Sequence, residues 1–153
     1  MFVVNPSLQV ISCCLYWYFF WLQKLKMKGK QSILCYFLPE LLSRLLSSAF
    51  ESYDLENMIT AFLLARQGAL EGAGLFLSYS DWFKMSFGGC TGYHASSKKS
   101  LVFLLKFLSD LVPFEPPLYL KVHILHPPYV PAKHHNLLME YVTLAKTRLA
   151  DFK

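Results

Sequence analysis

A helical spacing of leucines runs through most of the chain and limits the folds open to it. Between residues 98 and 112 the large apolar side chains recur every three or four positions, which places them on one face of a helix. These side chains are Leu101, Leu104, Leu105, Leu108 and Leu111. Similar faces recur in the other segments after residue 38, and none shows strand alternation or an Asn-Gly or Asp-Gly hairpin turn. The sequence therefore predicts an all-α protein of five to six helices.

Capping residues and prolines predict where these helices begin and end. Pro39 suits a first helical turn, where its missing N–H needs no partner. Asp54 and Ser80 are predicted N-caps of the second and third helices, and Ser96 or Ser97 of the fourth.

The prolines at positions 113–117 and 127–131 bound a short helix over residues 118–125, and a last helix is predicted over 134–152. Leu70 and Leu144 are expected on buried faces, and Trp82 and Phe83 in a core rather than on a base-stacking platform. Successive antiparallel helices with short connections favour a fragment of a HEAT-like α-solenoid over a closed bundle.

Composition excludes an intrinsically disordered chain and shows that the basic charge is concentrated in its first third. With 54% hydrophobic and 16% charged residues, the chain is too apolar to be intrinsically disordered. The net charge of +5 is concentrated early, because residues 1–46 carry five basic residues and one acidic residue, against ten and nine in residues 47–153. Residues 10–22 are apolar except for Ser12, which is short of the ~20 residues that span a bilayer. Counted back to Phe2, the stretch is long enough but includes Asn5, Pro6 and Gln9, and a cluster of lysines follows it. A small membrane-anchored protein using residues 2–23 is the alternative interpretation.

A candidate phosphate-binding loop lies at residues 88–92 and 97–100, where glycines precede Ser-Lys-Lys-Ser. Such a loop needs Gly-Lys-Ser/Thr to open a helix directly after a strand, and here five residues intervene. A flexible loop followed by a capped helix is the preferred interpretation. Lys98, Lys99 and Lys106 are likewise interpreted as a solvated helix face rather than a nucleic-acid patch.

Histidines and cysteines provide weak candidates for chemistry. His123, His126, His134 and His135 cluster in the sequence, but a structural zinc site needs four ligands and a proline pair separates the two halves. Cys90 is the sole thiol near them, and nothing local marks it as a nucleophile. The other cysteines are Cys13, Cys14 and Cys35; no C-x-x-C motif occurs, which favours a reducing compartment.

The carboxylates Glu71, Asp81, Asp110 and Glu115 show no paired spacing for acid–base work. We therefore expect no catalytic, cofactor-binding or metal-binding residues, no cofactor and no enzymatic activity.

Six stretches of ordinary complexity resemble the middle of the vertebrate Fanconi anaemia group A family. They are residues 59–71 (ITAFLLARQGALE), 76–84 (FLSYSDWFK), 97–103 (SKKSLVF), 111–115 (LVPFE), 122–128 (VHILHPP) and 144–151 (LAKTRLAD). The resemblance covers residues 38–153. It implies a non-catalytic α-solenoid scaffold of the Fanconi anaemia core complex, a ubiquitin ligase that acts in the repair of DNA interstrand cross-links.

The resemblance also implies a location and partners. The location is the nucleus, with a cytoplasmic pool, and the partners are other subunits of the core complex, foremost its group G subunit. Self-association and direct contact with nucleic acid stay open, and a membrane partner is not expected. Residues 1–37 do not resemble the family, so two segments are expected: 1–37, read from an alternative start or gene model, and the helical fragment 38–153.

Overall fold

The computed structural model describes the backbone of residues 31–72, 74 and 76–153 and the side chains from residue 36 onward, apart from those two gaps. All regular elements in these residues are helical, which confirms the predicted all-α class. Six α-helices are α1 (Gln31–Ser52), α2 (Leu55–Leu70), α3 (Tyr79–Phe87), α4 (Lys98–Leu111), α5 (Pro117–Leu125) and α6 (His135–Ala150). Short 3-10 helices lie at Tyr93–Ala95, Val112–Phe114 and Ala132–His134. The apolar run at residues 10–22 lies outside the described residues.

The chain forms two compact units, which meet in sequence between Ser78 and Tyr79. The N-terminal unit contains α1 and α2, and the C-terminal unit contains α3 to α6. Helix α1 runs without a break through the boundary predicted between residues 37 and 38. That boundary marks the start of the family resemblance rather than the end of a structural element, and it stays a prediction.

Helices α1 and α2 form an antiparallel hairpin. Asp54 connects them as the predicted N-cap, because its side chain accepts hydrogen bonds from the backbone N–H groups of Glu56 (2.9 Å) and Asn57 (3.3 Å). At the same end the Asn57 amide donates to the Ser48 hydroxyl (3.3 Å). The two bonds to Asp54 satisfy N–H groups that a helix leaves unpaired in its first turn, and the Asn57–Ser48 bond joins the two helices at this end.

At the other end of this hairpin, close packing depends on a glycine, Gly68. A Cβ atom added at Gly68 would lie 2.7 Å from Leu38 Cδ2 and 2.9 Å from Phe76 Cδ1, closer than carbon atoms approach in proteins. The absence of a side chain at Gly68 therefore lets α1 and the segment after α2 pack directly against the helix. Leu38 and Phe76 are both buried as a result.

Two details of the N-terminal unit differ from the sequence prediction. Pro39 lies inside α1 rather than in its first turn, since the helix already begins at Gln31. A proline there removes one backbone hydrogen bond, and burial of Leu38 and Leu42 on either side of it keeps the helix continuous. Leu70 is 74% exposed, because it lies at the last turn of α2, on the side of the helix away from α1.

In the C-terminal unit α6 packs against both α4 and α5. Helices α5 and α6 are antiparallel: the Arg148 guanidinium, near the end of α6, donates to the Pro113 carbonyl just before α5 (3.2 Å). The buried core draws on all four helices and includes Trp82, Phe83, Phe87, Leu101, Leu104, Leu108, Leu120, Leu138 and Tyr141. The predicted core positions Trp82 and Phe83 are confirmed.

Helix starts in this unit follow the prediction in part. Ser97 caps α4, because its hydroxyl accepts from the backbone N–H of Ser100 (3.1 Å). Ser80 is not a cap, since α3 already begins at Tyr79, whose side chain is drawn into the core. Leu144 is 44% exposed, because the buried side of α6 is formed by Leu138, Tyr141, Val142 and Ala145.

We predict that Gly68→Leu destabilises the N-terminal unit. The larger side chain must displace Leu38 and Phe76, and overpacking of this kind costs about 1–3 kcal/mol. Urea unfolding of the full chain, followed by circular dichroism, measures the loss. Gly74→Leu is the matched control, since nothing lies within 4 Å of a Cβ atom at that glycine. Equal stability of the two variants would contradict the close packing at Gly68.

Candidate functional site

The most concentrated set of polar side chains in the described residues is buried in the C-terminal unit around His123. The Tyr79 hydroxyl lies 2.7 Å from His123 Nε2, and the Tyr141 hydroxyl lies 2.8 Å from His123 Nδ1. The three residues come from α3, α5 and α6. A neutral imidazole has one N–H and one lone pair, so one tyrosine accepts a hydrogen bond from the ring and the other donates to it.

Aromatic rings enclose this network. Phe83 stacks on the His123 ring, with centroids 4.5 Å apart and planes 26° from parallel. The Tyr79 ring meets Tyr119 edge to face at 4.8 Å, and Phe83 meets Phe87 at 5.2 Å. Such contacts stabilise aromatic pairs beyond the area they bury. The rings therefore fix the imidazole in one orientation between its two hydroxyl partners.

The chemistry available to His123 is limited by this enclosure. The residue is 1% exposed, so its ring nitrogens are closed off from any molecule in solution. Each nitrogen contacts a tyrosine hydroxyl. The arrangement joins the helices α3, α5 and α6 through one polar side chain.

A second buried histidine, His94, forms a hydrogen bond with the loop between α5 and α6. His94 Nε2 lies 2.8 Å from the Tyr129 carbonyl oxygen, and the Tyr129 N–H donates to the Phe87 carbonyl (2.7 Å). Because a carbonyl can only accept, Nε2 carries the proton. Both backbone groups of Tyr129 are thus bonded, and the bond to Phe87 also satisfies a carbonyl at the end of α3.

The Nδ1 atom of His94 is buried and has no hydrogen-bond partner among the described residues. A Cβ atom at Gly92 would lie 2.8 Å from this nitrogen, so glycine is needed for the loop to pass over the ring. Burial lowers the pKa of His94 below its ordinary value of 6.5, and the hydrogen bond to Tyr129 opposes that shift only in part. The ring is therefore held in its neutral form.

A cavity of about 160 Å³ lies beside His94 at the start of α4. Its lining includes Lys98, Lys133 and His134 together with Ser96 and Ser97. The Ser97 hydroxyl is occupied as the helix cap, in keeping with the preferred interpretation of the Ser97–Ser100 segment. The glycines at 88–92 do not line this cavity.

The other candidate residues are dispersed. His126 follows α5, His134 ends the 3-10 helix before α6, and His135 begins α6, while His123 lies buried between its tyrosines. In the part of the chain that the structure describes, no three histidine, cysteine or acidic side chains gather into a metal-binding group. Cys90 lies exposed in the loop after α3.

Three of the four candidate carboxylates make local contacts, and the fourth, Glu115, is buried in the C-terminal unit. Asp81 pairs with Lys84 at 3.1 Å, and Asp110 with Lys106 at 2.9 Å, each on one helix face. Glu71 accepts from the Gln67 amide at 3.3 Å. These pairs are exposed or half-buried, and exposed pairs contribute little to stability.

Comparison with known proteins assigns the family. The family described as "Fanconi anaemia group A protein N terminus" matches residues 12–153. The chain is 63% identical over 116 residues to the Fanconi anemia group A protein of Homo sapiens and 64% identical over 109 residues to its homolog in Mus musculus. The chain therefore belongs to the Fanconi anaemia group A family, as the resemblance predicted. No solved structure matches it.

The matches differ in extent. The human and mouse alignments cover 76% and 71% of this chain but only 8% of each relative, so the chain spans a small part of the curated relatives it matches. The family match begins at residue 12 and thus includes much of the segment 1–37, for which no resemblance was expected.

Within the described residues, none of the helices combines the length and the apolar character needed to cross a bilayer. The membrane alternative rests on residues 2–23, which lie outside the described residues.

We predict that Tyr141→Phe and Tyr79→Phe each lower the free energy of unfolding by about 1–3 kcal/mol, because each leaves a buried nitrogen of His123 without its partner. Chemical unfolding of the full chain measures the loss. Tyr129→Phe is the matched control, since the bonds described for Tyr129 are made by its backbone. Losses in the two variants no larger than in the control would argue against the network.

Stability should also depend on pH through His94. Because its folded-state pKa lies below the ordinary value of 6.5, the unfolded chain binds the proton first as the pH falls. The contribution is present above about pH 6.5 and is lost as the pH falls toward the folded-state pKa. Melting temperatures measured from pH 8 to pH 5 should decline below pH 6.5. His94→Gln should flatten that decline, whereas substitution of the exposed His135 by Gln should leave it unchanged.

Proposed function

We propose that this chain is a non-catalytic scaffold segment of the Fanconi anaemia core complex. In this role it supports the ubiquitin ligase that acts during repair of DNA interstrand cross-links. The observation that carries the proposal is the identity of 63% over 116 residues with the human group A protein. Identity at this level over a continuous helical segment favours a shared structural role.

The buried chemistry of the described residues supports a scaffold rather than an enzyme. His123 and His94 are enclosed and bonded within the fold, and the exposed carboxylates pair with neighbouring lysines. The polar groups that a catalytic site would present to a substrate thus serve helix packing and loop attachment. We infer that the segment acts through its surfaces.

Antiparallel helix pairs in each unit agree with an α-solenoid, in which stacked repeats bury one another's faces. We propose that the segment works in the nucleus, with a cytoplasmic pool, beside the other subunits of the core complex. The group G subunit is the first partner to test.

The experiment is a replacement in the full-length human relative. The 116-residue segment that matches is exchanged for the corresponding segment of this chain, and the chimera is expressed in cells that lack the group A protein. We expect the chimera to restore survival after treatment with an interstrand cross-linking agent and to co-purify with the group G subunit. Immunoblotting establishes that the chimera accumulates.

The control chimera carries Leu104→Asp, which places a charge in the buried core of the C-terminal unit. It should fail in both assays, because an unpaired buried charge unfolds the segment. A chimera that accumulates normally but restores neither survival nor co-purification would overturn the proposal. Retention of the whole chain in a carbonate-washed membrane pellet, lost on deletion of residues 1–23, would favour the membrane alternative instead.

A further inference from the structure

The cavity beside the start of α4 is lined by basic side chains from two separate elements. Lys98 is the first residue of α4, and Lys133 lies in the 3-10 helix Ala132–His134. Both lysines are exposed and form no ion pair among the described residues, whereas Lys106 on α4 pairs with Asp110 at 2.9 Å. No acidic residue of the described chain lines the cavity. Its walls therefore favour a negatively charged occupant.

The start of α4 adds a backbone donor to this charge. The helix has 14 residues, and its first turn carries the partial positive charge of a helix N-terminus. The Ser97 cap bonds the N–H of Ser100, while the N–H of Lys98 has no hydrogen-bond partner among the described residues. Backbone N–H groups at such a position commonly bind oxyanions. One backbone donor and two ammonium groups are thus available beside the cavity.

The position of Lys133 relative to α4 is restrained by His94. This histidine lies just before α4, in the 3-10 helix Tyr93–Ala95, and its Nε2 donates to the Tyr129 carbonyl at 2.8 Å. Tyr129 precedes Lys133 by four residues, and Pro131 restricts the backbone between them. A site whose charges are held in place before binding loses less entropy when a ligand enters.

His94 also indicates the chemistry of the ligand. The residue is 0% exposed and lines the cavity, and its Nδ1 has no hydrogen-bond partner among the described residues. Because Nε2 carries the ring proton, Nδ1 is an acceptor that lacks a donor. A buried acceptor in this state is costly, and a ligand that donates a hydrogen bond removes the cost. The expected ligand therefore carries both negative charge and a proton.

Hydrogen phosphate combines these two properties, since its oxygens are negative and its hydroxyl donates. The cavity volume of about 160 Å³ accommodates it, because a water molecule occupies ~30 Å³ in the liquid and a phosphate group has five non-hydrogen atoms. We propose that this cavity binds a singly protonated phosphate group through Lys98, Lys133 and His94. The site differs from the candidate loop at residues 88–92, whose glycines do not line the cavity. It goes beyond the proposed scaffold function, and neither depends on the other.

The test is a titration of the full chain with sodium phosphate at pH 6.5, followed by NMR spectra of the backbone amides and of the histidine ring nitrogens. At this pH His94, whose pKa is lowered by burial, is mostly neutral. A phosphate monoester, with a second pKa of about 6, is still partly protonated. We expect the Lys98 amide and His94 Nδ1 to shift with one dissociation constant in the millimolar range. The ring of His123 should not shift.

Two controls accompany this titration. Lys98→Ala and Lys133→Ala should each weaken phosphate binding about tenfold, because each removes a charge-assisted contact. Lys106→Ala is the matched control variant, since it removes the same charge from the same helix at a residue that does not line the cavity. Sodium sulfate is the matched control ligand. It is a dianion of similar size without a proton at this pH, so it should bind about tenfold more weakly than phosphate.

Titration with O-phosphoserine distinguishes two sources of the phosphate group. Binding tighter than that of inorganic phosphate would assign the site to a phosphorylated side chain, and weaker binding would assign it to free phosphate; both results support the site. Sulfate binding as tight as phosphate binding, an unshifted His94 Nδ1, or equal weakening by Lys106→Ala and Lys133→Ala would each overturn the proposal. The scaffold function would still stand, since it rests on the family identity.

Discussion

Two of the six described helices, α3 and α5, have nine residues each, and helices of that length do not persist alone in water. Their existence depends on the packing that joins them, and its centre is the His123 ring. One imidazole contacts a tyrosine from α3 and a tyrosine from α6, and it stacks on Phe83. Removing either hydroxyl leaves a buried nitrogen unsatisfied, so three helices are linked through one side chain.

Hydrogen bonding within the fold also accounts for the other buried polar groups of the C-terminal unit. Buried polar groups are costly unless they are hydrogen-bonded, and in this unit they bond to one another and to the backbone. His94 bonds to the Tyr129 carbonyl, and the Tyr129 N–H bonds to the Phe87 carbonyl at the end of α3. The exposed helix faces of the unit carry the Lys106–Asp110 ion pair on α4 and Leu118 and Leu125 on α5.

Local patterns predicted those features whose causes lie within a few residues. Asp54 and Ser97 cap helices because the N–H groups they accept from lie two or three residues further along the chain. The leucine spacing of α4 predicted its buried face for the same reason. Ser80 is not a cap although its sequence context is suitable, because α3 begins at the buried Tyr79, two residues before the start that a Ser80 cap predicts.

The sequence by itself determined the helical class, the capped helix start at Asp54 and the family, and it narrowed the cap of α4 to Ser96 or Ser97, since periodicity, capping and long similar stretches are all properties of neighbouring residues. The tertiary structure alone decided the partners of His123, because Tyr79 is 44 positions away and Tyr141 is 18. It also decided which apolar residues stay outside. Leu70 and Leu144 belong to apolar patterns like those of the buried leucines, and only the position of the neighbouring helices leaves them exposed. Burial depends on which elements pack against a helix face, and the sequence of one helix does not specify those elements.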